Sequence, residues 1–90
     1  MDERPIEEYE RFSDREIYEG LLNAYPQLSV PFEQTRQMLA VFGKTADEII
    51  GSLKEGMPGR WTPLREYLWR RAIRHIEAES KVMVANAINN

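Results

Sequence analysis

Apolar residues in this 90-residue chain recur every three or four positions, the spacing typical of helices that bury one face. No segment shows the sustained alternation of apolar and polar residues that half-buried strands show. The pattern therefore predicts an all-α fold with essentially no sheet. The predicted helices span residues 5–12, 14–25, 31–42, 46–55 and 63–85.

Capping residues indicate where several of these helices begin. Ser13 with Glu16, and Thr45 with Glu48, have the spacing of a capping box, in which each side chain accepts a hydrogen bond from the other residue's backbone N–H. Thr62-Pro63 is a further start signal, because proline suits the first helical turn. The predicted stops lie at glycine and proline positions, namely Pro26, Gly43, Gly56 and Pro58.

The last predicted helix has one apolar face along most of its length. We expect four or five short helices to pack on this long C-terminal helix, forming a single domain over residues 1–90. At 100° per residue, the face contains Trp69, Ala72, Ile73, Ile76, Ser80, Met83 and Ala87. The residues predicted to face it from the shorter helices include Ile17, Leu21, Ala24, Phe32, Thr35, Leu39, Phe42, Ile49, Ile50 and Leu53.

Composition restricts the possible functions. The chain has no cysteine, which excludes a disulfide framework and thiolate metal sites and suits a reducing cytoplasm. The N-terminus is acidic without a following apolar run, and no stretch approaches the roughly 18 apolar residues of a membrane span. We therefore expect a cytoplasmic protein that does not bind a membrane.

Charge is divided unevenly along the chain. Residues 1–19 hold eight acids and three bases, whereas residues 60–90 hold three acids and six bases. This asymmetry predicts either that the two ends attract each other or that each end faces a different partner. In the first case Glu7, Glu8 and Glu10 are the acids expected to dock on the last helix.

Catalytic residues are scarce. His75 is the only histidine, and His75 with Glu79 provides at most two metal ligands, fewer than the three protein ligands of a catalytic zinc site. No nucleophile can be assigned to His75 from its spacing. We therefore expect no enzymatic activity, no cofactor, no metal and no small-molecule substrate.

The end of the chain points to a protein partner, because residues 82–88 carry no charge after Lys81. Such a helix end is usually covered, so we expect a small adaptor, inhibitor or assembly factor that forms a homodimer or binds a larger protein. Trp61 can instead fold over the domain as a lid on the core. The predicted partner-binding residues are Trp69, Ile73, Ile76, Met83 and Val84, with Arg60 and Trp61 as a second contact and Arg71 and Arg74 as charge complement.

A small nucleic-acid-binding regulator is the alternative. Residues 35–56 resemble an imperfect helix-turn-helix, and arginines with neighbouring aromatics on the last helix could contact phosphates and bases. Against the motif, Gly43 comes one position early and Asp47 and Glu48 would meet the DNA phosphates. Against the arginine face, Glu66 lies one helical turn before Arg70 and can neutralise it.

Overall fold

The computed structural model describes residues 5–56, 59 and 61–89, with side chains as far as Lys81. These residues form four α-helices and no strand, which confirms the predicted all-α class. In chain order, the elements are a 3-10 helix at Ile6–Glu8, α1 at Asp14–Ala24, a 3-10 helix at Pro26–Leu28, α2 at Ser29–Ala40, α3 at Ala46–Gly56 and α4 at Pro63–Asn89.

Both predicted capping boxes are present. The Ser13 hydroxyl accepts from the Glu16 N–H at 3.1 Å, and the Glu16 carboxylate accepts from the Ser13 N–H at 3.1 Å. Thr45 and Glu48 make the same two bonds at the start of α3, each 3.2 Å long. The Glu48 carboxylate accepts from both the backbone N–H and the hydroxyl of Thr45, and these two bonds lower the pKa of the Glu48 carboxyl because they favour its ionised form. The start of α4 is also capped, by the hydroxyl of Thr62.

The first predicted helix, 5–12, is wrong in length and type. Only Ile6–Glu8 is helical, as a single 3-10 turn in which the N–H of Tyr9 donates to the carbonyl of Ile6 at 2.9 Å. Pro5 stands at its start and provides no side-chain hydrogen bond to the free backbone N–H groups. Without a cap, a segment this short gains too little from its own backbone bonds to extend into an α-helix.

α2 begins two residues earlier and ends two residues earlier than predicted. Phe42 therefore lies beyond the helix in the link to α3, where it is 68% exposed, and its predicted place in the core is wrong. Gly43 follows with a φ of 65°, a left-handed conformation that glycine adopts without strain. The turn at Gly43 directs the chain toward the cap of α3.

The core lies against one face of α4, as the apolar spacing predicts. Ala72, Ile73 and Ile76 are completely buried, and the ring of Trp69 meets that of Phe32 edge-on with centroids 4.9 Å apart. α1, α2 and α3 all pack on this helix. The buried cluster consists of Phe32, Ile49, Ile50, Trp69, Ala72, Ile73 and Ile76.

α4 is much longer than the helices that cover it. It has 27 residues and is about 40 Å long at about 1.5 Å per residue, whereas α1, α2 and α3 have 11 or 12 residues each. Glu79 still contacts α2, since its carboxylate accepts from the guanidinium of Arg36 at 3.3 Å. From Glu79 the helical backbone continues for ten more residues, to Asn89.

We predict that Ile73→Ala lowers the free energy of unfolding by about 2–5 kcal/mol, because it leaves a cavity in a closely packed core. Val41→Ala, at a position 72% exposed, should change it by less than about 0.5 kcal/mol. Urea unfolding followed by circular dichroism measures both. A destabilisation of Ile73→Ala no larger than that of Val41→Ala would contradict the placement of Ile73 in the core.

Candidate protein-binding site

An apolar groove lies where the chain before α1, α1 itself and the first turns of α4 meet. One cavity of about 330 Å³ adjoins α1, and a second of about 520 Å³ extends toward the end of α3. Leu21, Tyr25 and Leu68 line both cavities, so the two lie side by side. We define the apolar groove by the side chains of Tyr9, Phe12, Leu21, Tyr25, Trp61 and Leu68.

The spacing of residues along α1 explains the groove. Ile17, Gly20, Leu21 and Ala24 fall on one face of the helix and all line the first cavity. Ile17 is buried, whereas Gly20 and Ala24 are exposed and small. Apart from its chain neighbours and the backbone of α1 itself, no atom lies within 4 Å of the place where a Cβ on Gly20 would stand. The groove is therefore open above Gly20 because α1 has no large side chain there.

Trp61 forms one wall of the groove and also covers the core. Its ring is half-buried and packs against the core cluster, as the predicted lid would. Nearby, the ammonium of Lys54 at the end of α3 forms an ion pair with Glu66 of α4. The hydrogen bond from Lys54 lowers the pKa of the Glu66 carboxyl. This side of the groove is held by contacts between α3 and the first turns of α4.

The opposite wall of the groove is formed by Tyr9 and Phe12, and Arg71 holds the segment that carries them. Its guanidinium donates to the carboxylate of Asp14, to the carbonyls of Phe12 and Tyr9, the latter at 3.3 Å, and to the hydroxyl of Tyr67 at 2.6 Å. The side chain is only 11% exposed. Burial opposes the charged form, but the bonds to Asp14 and Tyr67 outweigh it and raise the pKa of Arg71. A charged arginine therefore fixes the segment that carries two of the groove's aromatic rings.

Arg71 and Arg74 were expected to complement a partner's charge, and the structure pairs both of them within the chain. Arg74 is 67% exposed and lies 3.5 Å from the Asp14 carboxylate that also accepts from Arg71. An acid of the N-terminal third thus contacts the basic helix. The acids expected in this role were Glu7, Glu8 and Glu10, and Asp14 is an acid that contacts both Arg71 and Arg74.

The expected association face is largely part of the core. Trp69, Ile73 and Ile76 are buried by α1, α2 and α3, so assigning them to a partner surface was wrong for this fold. Arg60 lies outside the described residues. Met83 and Val84 belong to the helical backbone of α4, and their side chains lie outside the described part of the structure. The apolar groove itself was not predicted, although Gly20 and Ala24, one helical turn apart on α1, were a signal for it.

The helices of the imperfect helix-turn-helix are α2 and α3. Asp47 and Glu48 occupy the first turn of α3, where the motif would approach phosphates. Asp47 accepts from Arg70 at 2.6 Å, so this arginine of α4 is also neutralised within the chain. The ion pair between Asp47 and Arg70 joins the start of α3 to α4.

No group of three or more histidine, aspartate or glutamate side chains in the described residues is arranged to hold a metal ion. Within the same residues, no helix is long and apolar enough to cross a membrane. Comparisons with protein-family models, with curated proteins and with solved structures gave no match. The groove and the end of α4 must therefore be interpreted from their own chemistry.

We predict that Arg71→Lys lowers the free energy of unfolding by about 1.5–3 kcal/mol, because an ammonium cannot make the several directed bonds of the guanidinium. It should also speed tryptic cleavage after Arg11, since the chain before α1 loses its anchor. Arg74→Lys is the matched control and should cost less than about 1 kcal/mol, as exposed ion pairs do. Equal effects of the two changes in urea unfolding and limited proteolysis would contradict the anchoring role of Arg71.

Proposed function

We propose that this chain is a small protein–protein interaction module, acting in the cytoplasm as an adaptor, inhibitor or assembly factor. It works by binding and not by catalysis, through the C-terminal end of α4, to a second copy or to another protein. The observation that supports this most is the continuation of α4 for ten residues beyond Glu79, in a stretch whose residues 82–88 are uncharged.

Charge distribution along α4 supports this choice of surface. The helix carries ion pairs as far as Lys81, which lies 3.3 Å from the Glu77 carboxylate one turn earlier. After Lys81 the sequence has only apolar residues and asparagines. Each apolar side chain left in water forgoes about 25 cal/mol per Å² of burial, so covering this end favours association. Because Trp69, Ile73 and Ile76 belong to the core, Met83 and Val84 are the remaining anchors of the proposed face.

Nucleic-acid binding is less well supported. Arg70, Arg71 and Arg74 each contact a carboxylate of the same chain, which reduces the positive field available to phosphates. We expect no mobility shift with duplex DNA, single-stranded DNA or RNA at low salt. A shift that weakens steeply with added salt would instead support a phosphate-binding regulator.

We predict that Met83→Glu combined with Val84→Glu abolishes association, because two carboxylates would have to be buried in an apolar interface. The mass from light scattering should fall to the 10.6 kDa of a single chain, or capture of a protein partner should be lost. Gln34→Glu combined with Gln37→Glu is the control, since it adds the same charge to exposed positions of α2. Unchanged mass and partner capture after the first pair of changes would refute the proposed surface.

A further inference from the structure

We propose that the C-terminal end of α4 binds in the apolar groove of a second copy of this chain, and that the exchange is reciprocal. This inference rests on the proposed function and names both the receptor and the partner. It combines two separate observations, an open groove with apolar walls and an uncharged helix end, which lie at opposite ends of α4.

The occupant of the groove cannot be the same chain's own helix end. Leu68 of α4 lines both cavities, and Val84 stands 16 positions further along the same helix. At about 1.5 Å per residue, this separation is about 24 Å. α4 is one continuous helix from Pro63 to Asn89, so no turn within it returns the end to the groove. Only another molecule can bring this segment there.

An antiparallel arrangement of two α4 helices satisfies both sites together. The groove lies beside the first turns of α4 and the uncharged segment forms its last turns, so reversing one copy brings each segment to the other's groove. The two contacts are then related by a twofold axis and use the same surfaces on both copies. Such an interface is closed, which makes a dimer and leaves no end for a growing filament.

The chemistry of the two surfaces is compatible. The groove is walled by buried and half-buried aromatic and aliphatic side chains, with one acid, Glu16, and one base, Arg65, among its lining residues. An uncharged segment can enter it without bringing a charge that would be buried unpaired. Val84 and Ile88 stand one helical turn apart, which is the anchor spacing of helices that bind in grooves. Gly20 and Ala24 allow such a helix to approach α1 closely.

The decisive variant is Gly20→Arg. Apart from its chain neighbours and the backbone of α1, nothing lies within 4 Å of the new Cβ, and Gly20 is an exposed residue of the groove lining, so an arginine there need not displace the core. Replacing a helical glycine also favours the fold by up to about 1 kcal/mol. Gly51→Arg is the matched control, because Gly51 is an exposed glycine of α3, equally free of neighbours and outside the groove.

We predict that Gly20→Arg raises the dissociation constant of the dimer about tenfold or more, because its long side chain would occupy the space in the groove that the second helix must fill. Gly51→Arg should leave the dimer unchanged. Analytical ultracentrifugation over a range of concentrations measures both, and thermal melting shows that both variants are folded. Dimerisation of Gly20→Arg as tight as that of the unmodified chain would overturn the inference.

Cross-linking gives a second test, because the chain has no cysteine. Under mild oxidation, a mixture of the Gly20→Cys and Val84→Cys variants should form a covalent dimer in higher yield than either variant alone. The mixture of Gly51→Cys with Val84→Cys should not. Equal yields from the two mixtures would count against the groove as the receptor.

The outcomes separate this inference from the proposed function. If Met83→Glu with Val84→Glu abolishes association and Gly20→Arg does not, the end of α4 is the binding surface and the groove is not its receptor. If the unmodified chain is a monomer at every concentration, the inference falls, and the proposed function then requires a different protein partner. If neither set of changes alters mass or partner capture, both proposals fall.

Discussion

Burial of one face of α4 by three short helices is the constraint on which the rest of the structure depends. Ala72, Ile73 and Ile76 lose all contact with solvent, and this requires α1, α2 and α3 to converge on the middle of the helix. Helices of 11 or 12 residues cannot cover a helix of 27 along its whole length. One helix therefore provides the face on which the other three pack, and its backbone continues past the last of these contacts.

Arg71 fixes the segment before α1 by polar contacts, whereas the core is held by apolar packing. Burying a cation is costly unless its donors are matched, and here they meet Asp14 and the carbonyls of Tyr9 and Phe12. Such a buried pair adds little net stability compared with apolar packing. Its effect is to specify the path of the chain before α1, a segment with only one short helical turn. The shape of the groove thus depends on a polar contact, although its lining is apolar.

The parts of the fold that the sequence predicts correctly are those determined by local spacing. Capping boxes link residues three positions apart, so Ser13 and Glu16 identify the start of α1 without knowledge of the fold. The face of α4 follows from helical periodicity in the same way. Local spacing cannot identify the carboxylate that pairs with Arg71, because Asp14 lies 57 residues away along the chain. Periodicity also predicts that Ile73 is buried, but it does not tell whether helices of the same chain or a partner bury it. It cannot reveal a groove that three separate segments of the chain form together.

Size gives a physical reason for the two apolar surfaces to meet. A chain of 90 residues buries a smaller fraction of its surface than a larger domain does, so apolar area remains exposed after the core is complete. If the end of α4 and the groove stayed open, each would favour nonspecific contacts with other molecules. The proposed reciprocal exchange would cover both surfaces of each copy through two symmetric contacts and add burial that one copy cannot provide. In that arrangement folding and association would be linked, because binding of a second copy would stabilise the folded state of the first.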